Sequence, residues 1–346
     1  MSLIYTLIML SVIIVVHEFG HLISAKAFGV YCKEFSMGMG PKVWGFKGKE
    51  TTYNLRMFPF GGFVAMAGEE SVDVDVPKDR SLLGIAKYKR IIIMLSGIIM
   101  NVVLAFVLFV GINWYLGYVV QTPKAVIDGI IADSPAEAAG LQANDKILKM
   151  TFEDGTSIVP KDFNDVITFT QLYHNTIEFT LQRGSEEVKI SVTPVYDQTN
   201  DRYFLGVILP PAEKVDINPI QGIGYAFTTI VSTIYSMFLL IGKLLTGVGL
   251  QTLSGPVGIV EITKTQASDG LLSMIYLTAI LSLNVGVFNV LPLPILDGGR
   301  VFMIAIEVII RKPIDKRLEL ALMYVSAALL VLLMVFATWQ DLGKLL

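Results

Sequence analysis

Residues 12–29 read VIIVVHEFGHLISAKAFG and set His17, Glu18 and His21 inside the first apolar run of the chain. Titratable side chains are costly in hydrocarbon, so three of them in one apolar run demand a use. HEFGH is His-Glu-x-x-His. On a helix, positions i and i+4 share a face one turn apart, so His17 and His21 can reach one Zn²⁺. Glu18, beside the first imidazole, can accept a proton from a metal-bound water. In the competing reading the imidazoles only hydrogen-bond to neighbouring helices and Glu18 faces a polar cavity. That arrangement would bury three costly groups without chemical use.

The rest of the chain agrees with a membrane setting. Of 346 residues, 53% are hydrophobic and 16% charged, whereas a soluble domain is usually about a quarter charged. A formal net charge of −3 offers no basic surface for nucleic acid. The single cysteine, Cys32, excludes intramolecular disulfides and a cysteine metal cluster and reads as a silent thiol. The third histidine, His174, falls in a polar stretch and reads as an ordinary surface residue. MSLIYTLIML has no basic n-region, so the N-terminal run reads as a retained transmembrane helix rather than a signal peptide.

Five stretches are long and apolar enough to consider as spans: 2–25, 91–123, 217–242, 270–296 and 320–340. Between the second and third, roughly 119–212, charges and turn residues recur, and TIEFTLQRGSEEVKISVTP reads as two strands around an Arg-Gly-Ser turn. This is a soluble insert. Residues 26–90 hold 11 Lys and Arg, and 300–317 hold Arg300, Arg311, Lys312, Lys316 and Arg317. The positive-inside rule puts both in the cytoplasm and the insert outside. Five crossings would carry 300–317 to the wrong side, so one stretch does not cross, and 217–242 is chosen. The expected layout is a first transmembrane helix over 1–30, a cytoplasmic-side region 31–88, a second helix 89–118 and an extracytoplasmic insert 119–212. An outer-face amphipathic or re-entrant segment 213–268, a third helix 269–300, a cytoplasmic loop 301–318 and a fourth helix 319–340 follow.

A catalytic zinc usually has three protein ligands and one open position. No third histidine or downstream glutamate follows HEFGH at short spacing. The candidate is Asp297 in NVLPLPILDGGR, residues 289–300, where Pro292 and Pro294 break the helix and free backbone groups that a water-filled site can satisfy. Depth is consistent. His17 lies in the inner half of a span that starts outside, and Asp297 lies late in another span of the same direction if 217–242 stays outside.

HExxH in the first span, a distal Asn-x-x-Pro-x-x-x-Leu-Asp-Gly and an inserted soluble domain resemble the site-2 protease family of intramembrane zinc metalloproteases, in its bacterial RseP type with one PDZ domain. The resemblance implies His17, His21 and Asp297 as zinc ligands, Glu18 as catalytic acid/base and Asn289 as a residue holding substrate or the oxyanion. RMFPFGGFVAMAGEE, 56–70, is similar to the family's membrane-associated β-hairpin, with Gly61 and Gly62 in its turn, an edge on which substrate can pair as a strand. The competing reading there is an ordinary cytoplasmic hairpin. LSGPVGIVE, 253–261, matches a family loop. LSGIIMN resembles a family Gly-Pro-x-x-Asn pattern with isoleucine in place of proline, and Asn101 is read as a plain interhelical hydrogen-bonder, not a site residue. ADSPAEAAGLQANDKILKM, 132–150, resembles a PDZ domain, which binds peptide by strand addition or only excludes bulky partners.

The expected protein is therefore a multi-span α-helical membrane protein of about four transmembrane helices, with a β-hairpin and an inserted α+β PDZ-like domain. It would sit in the bacterial cytoplasmic membrane with its site near the cytoplasmic face. It would use Zn²⁺ and act on membrane proteins with one transmembrane helix, of the anti-sigma-factor or signal-peptide-remnant kind, in contact with the lipid bilayer; the PDZ-like domain is a candidate peptide binder. Two other classes compete. A metal or proton transporter would show repeat symmetry between halves, which the sequence lacks. A non-catalytic adaptor presenting the insert would leave both motifs idle.

Overall fold

The computed structural model describes residues 1–69, 76–197, 202–245 and 254–345. Glu70, which closes the 56–70 motif, and Leu253, which opens the 253–261 motif, lie outside the described residues. The helices are α1 (Ser2–Ala27), α2 (Lys87–Leu116), α3 (Pro135–Ala139), α4 (Phe163–Leu172), α5 (Pro219–Leu245), α6 (Pro256–Ser268), α7 (Leu271–Asn289), α8 (Asp297–Ile310) and α9 (Lys316–Leu345). The strands are β1 (Cys32–Lys47), β2 (Thr52–Met66), β3 (Tyr118–Gln121), β4 (Gly129–Ile130), β5 (Lys146–Phe152), β6 (Ser157–Ile158), β7 (Ile177–Arg183), β8 (Glu186–Val192), β9 (Val195–Asp197), β10 (Arg202–Phe204), β11 (Val207–Ile208) and β12 (Glu213–Asp216). Among the described residues five helices, α1, α2, α5, α7 and α9, are long and apolar enough to cross a membrane, and they carry the low charge content of the sequence. Two compact units result. The first comprises Met1–Tyr115, Ile223–Phe238 and Ser254–Leu346, the second Leu116–Gly222 and Leu239–Leu253.

In the first unit α1 and α2 approach closely where both carry glycine. A Cβ on Gly20 would collide with the Ser96 carbonyl, and Ser24 and Ser96 share a hydrogen bond of 2.7 Å between hydroxyls beside it. Small residues are what permit such contact between apolar helices. The segment expected as a hairpin is more elaborate. Both β1 and β2 fold back on themselves, β1 near Gly38 and Gly40 and β2 near Gly61, all three with φ near +80°, a region glycine tolerates. Phe35 consequently pairs with Val64 on one side and Tyr53 on the other, and Tyr53 also faces Phe46. The result is a small mixed sheet ordered 42–47, 52–56, 34–37, 62–66, in which the central pair runs parallel and the outer pairs antiparallel, with 62–66 as an edge. Cys32 begins β1, buried; burial pushes its thiol up to about 11, so it stays protonated at neutral pH.

The expected third helix over 269–300 is two helices. α7 stops at Asn289 and α8 starts at Asp297, because Pro292 and Pro294 lack the N–H a continuous helix needs. The run 301–318, expected as a cytoplasmic loop, is helical to Ile310, and Arg311 in the left-handed region ends it. Its apolar sequence VFMIAIEVII contains nothing to stop α8 sooner.

The second unit has its own core. β6-β5-β7-β8 form one antiparallel sheet, whose Met150, Ile177, Phe179 and Leu181 pack with Phe163 and Val166 of α4. The two strands expected around Arg-Gly-Ser are β7 and β8, closing Arg183 on Glu186. Ser134 caps α3, with Pro135 in the first turn and Gly140 in the left-handed position after it, a full set of helix stop and start signals. Buried Asp145 accepts two hydrogen bonds from Arg183, at 2.8 and 2.7 Å, and one from the Gln142 N–H at 2.9 Å. Burial disfavours its charge, but the guanidinium and the N–H outweigh that and hold its carboxyl below the usual carboxylate range. On α4, Gln171 accepts from the Tyr203 N–H and donates to the Tyr203 carbonyl, both at 2.8 Å.

Candidate active site

His17 and His21 lie one turn apart on the buried face of α1. Their Nε2 atoms stand 3.3 Å from each other, and Asp297 Oδ2 lies 3.0 Å from the first and 3.2 Å from the second. The sequence separates Asp297 from His21 by most of the chain; the break between α7 and α8 brings it back. Gly298 and Gly299 permit this turn, since a Cβ on either would collide with the Val290 or Leu293 carbonyl. Asp297 Oδ2 is buried without a hydrogen bond among the described residues.

These three atoms fit a metal ion. Ligands at about 2.0–2.1 Å from a tetrahedral centre are about 3.3 Å apart, which is the size of this triangle. Two neutral imidazoles and a carboxylate also match the donor set zinc takes in open, three-ligand sites. The His21 Nδ1–H donates to the Ile93 carbonyl at 2.8 Å, which leaves its Nε2 lone pair directed at Asp297. A Cβ on Gly97 would stand 2.6 Å from His21 Nε2 and 2.8 Å from His17 Nε2, so only glycine leaves room for both rings.

Glu18 points to the other side of the cluster, where its Oε2 accepts the Val64 N–H at 3.1 Å. A cavity of about 240 Å³ joins Glu18, the two histidines, Asp297, Asn289 and the edge strand at Phe63 and Val64. Asn289 is the last residue of α7. Of the two candidate glycines, Gly62 sits on the edge strand, where a Cβ would come within 3.6 Å of the Glu18 Cγ. Gly61 sits in the turn against Met39, and neither glycine is among the residues that line the cavity. Arg300, one turn into α8, pairs with Glu69, and both line the cavity.

Sequence reading passed over Ile93 and Gly97 and read Asn101 as an interhelical hydrogen-bonder outside the site. The three recur every four residues on α2, and each faces a histidine of α1: Ile93 through its carbonyl, Gly97 through its missing side chain, Asn101 through its amide, 3.2 Å from His17 Nδ1. That spacing of four was a usable signal. The Val64 N–H was not legible, because which main-chain donors face a site depends on which strand forms the edge. Arg300 and Glu69 are also joined only by the fold.

Comparison with known proteins decides the family. Residues 5–333 match the description "Peptidase family M50". The chain belongs to this family, that of the site-2 proteases. Among M50 relatives, a protein of Clostridium perfringens named "Putative zinc metalloprotease" is 36% identical over 344 residues, covering 99% of this chain and 98% of its own. One of the same name in Clostridium acetobutylicum is 32% identical, covering 98% and 97%. "Zinc metalloprotease RasP" of Shouchella clausii is 30% identical, covering 97% of each chain. The M50 match therefore takes in both motifs and the insert between them.

Proposed function

We propose that this chain is a zinc-dependent intramembrane endopeptidase that cuts within the transmembrane segment of single-span membrane proteins. The observation that carries this reading is the triangle of His17 Nε2, His21 Nε2 and Asp297 Oδ2, with edges of 3.0, 3.2 and 3.3 Å, beside the Glu18 carboxylate. In this reading the three residues hold the ion. When bound, zinc lowers the pKa of a water to about 7 and polarises the scissile carbonyl.

The protein's own groups do the rest. Glu18 takes the water proton and returns it to the leaving amine. Asn289, on the cavity wall, donates its amide to the oxyanion or to substrate backbone. A substrate helix must unwind, since its carbonyls are engaged and shielded. Pairing of the unwound segment along 62–66 holds it extended. The Val64 N–H is the donor such a strand would take over from Glu18.

The helices crossing the membrane in this reading are α1, α2, α7 and α9, with α5 on the outer face. Loop charges support this, and so does α5 itself, the least apolar of the five long helices. Its start adjoins the insert, where the Ile217 N–H donates to the Gly117 carbonyl, and near its end Lys243 pairs with Asp154 of the insert at 3.3 Å. The PDZ-like insert then acts outside as a steric filter that admits substrates already trimmed of bulky outer domains. Gln171, which occupies both main-chain groups of Tyr203, supports exclusion over peptide capture. Anti-sigma factors and signal-peptide remnants are substrates of the fitting shape.

The test is the metal content of the purified full chain. Wild type should hold about one zinc per chain, lost in His21→Ala and in Asp297→Ala. Glu18→Gln should keep its zinc and lose cleavage of a single-span substrate. A folded wild type without zinc overturns the reading.

A further inference from the structure

Asn101 is fully buried on α2, and its amide lies against the His17 ring. As placed, Nδ2 faces His17 Nδ1 at 3.2 Å, and Oδ1 is buried with no partner among the described residues. That orientation suits an imidazole whose Nδ1 accepts and whose proton sits on Nε2. Such a tautomer points a proton, not a lone pair, at Asp297 Oδ2. It cannot ligate a metal through Nε2.

His21 shows the opposite state, its Nδ1–H fixed by the Ile93 carbonyl. For His17 the equivalent acceptor is one half-turn of the Asn101 amide away. Oxygen and nitrogen of an amide have nearly the same size and shape, so the turn needs no movement of the helix. Either orientation leaves one amide atom unpartnered. The choice therefore falls to the imidazole. The backbone carbonyl of Asn101 is held independently, accepting from Ser282 Oγ of α7 at 2.8 Å, so the side chain is free to serve His17 while the main chain ties α2 to α7.

We infer that Asn101 is a positioning residue for His17: its side-chain carbonyl accepts the His17 Nδ1–H and holds the tautomer whose Nε2 lone pair meets the ion. This rests on the zinc reading above and adds a residue outside the ligand set. Partners that orient a ligating histidine are typically worth about 10–100-fold in metal affinity.

The experiment is a zinc competition against a chromophoric chelator on the full chain in detergent, comparing wild type, Asn101→Ala and Asn101→Asp, with thermal unfolding of each metal-free protein alongside. Asn101→Ala should hold zinc about 10–100-fold more weakly while unfolding at a similar temperature. Asn101→Asp should hold it at least as tightly as wild type, because a carboxylate accepts from Nδ1–H and cannot donate. If the alanine variant does not purify folded, the aspartate variant alone decides, since an amide acting as donor would be lost in it. Zinc affinity unchanged in Asn101→Ala, or weakened in Asn101→Asp, overturns the inference while leaving the zinc site standing. Absence of zinc in wild type fails both readings, and that result is read from the wild-type arm alone.

Discussion

Asp145 and Asp297 are both carboxylates withdrawn from water, one in the insert and one among the membrane helices, and their surroundings are opposites. Asp145 is matched on both oxygens by Arg183 and by the Gln142 N–H. Asp297 has two imidazole nitrogens near one oxygen and, among the described residues, no hydrogen bond to that oxygen. Folding tolerates a buried charge when it is paired and hydrogen-bonded. A carboxylate that is surrounded by lone-pair donors and left incomplete is shaped for something the chain itself does not contain. The first arrangement maintains a fold; the second prepares a site.

The contrast can be broken by exchanging the expected consequences of mutation. The largest effect belongs to Gly97→Leu. The added side chain would enter the space of both imidazoles, so zinc content and cleavage should both vanish, while hydrogen exchange in the insert stays unchanged. Zinc retained by this variant would show that the α1–α2 contact does not set the ligand geometry.

Next come the two aspartates. Asp297→Asn should lose zinc while changing the unfolding temperature of the metal-free protein little, because the amide replaces an oxygen that has no hydrogen bond among the described residues. Asp145→Asn should keep zinc and cost the insert about 2 kcal/mol, the range for hydrogen bonds to charged groups, read as faster hydrogen exchange along β5 and β7. The same residue has a pH signature. Its folded-state carboxyl titrates below the unfolded value, so the stability it adds is present above the unfolded carboxylate pKa of about 4 and is lost as pH falls through the folded value. Protection of the insert should weaken below about pH 4 in wild type and weaken less steeply in Asp145→Asn. Equal slopes would remove Asp145 from the account.

The smallest effect is expected at Gln171. Replacing it with alanine frees the N–H and C=O of Tyr203, so a peptide ending in an apolar residue should bind the full chain a few-fold more tightly than wild type, measured by fluorescence anisotropy. Weaker binding in Gln171→Ala would mean that the amide contacts ligand rather than standing in for it.

Much of the candidate site was legible because its chemistry is local. HEFGH places two imidazoles by helical periodicity alone, and no fold is needed to see that 17 and 21 share a face. Asp297 was legible because a carboxylate after two prolines is conspicuous at the end of an uncharged run. The sheet at 32–66 was only half legible. Its glycines announced turns, but each of its two strands serves as two runs, and sequence pattern does not say which run becomes the edge. For the same reason the quoted Gly61 and Gly62 do not line the cavity, while Val64, unremarked in sequence, reaches Glu18.

What the sequence determined by itself was thus the membrane character, the helix-borne metal motif, the candidate distal ligand and the existence of an insert, because hydrophobicity, charge and short-range spacing act within a single element. What only the tertiary structure decided was the closure of the ligand triangle, the stripe of Ile93, Gly97 and Asn101 against the histidines, and the placing of an edge-strand N–H on Glu18. Each of these depends on atoms from separate helices or strands arriving within hydrogen-bonding distance. Such distances are set by packing, through glycines that allow contact and prolines that break helices, and not by the identity of any one segment.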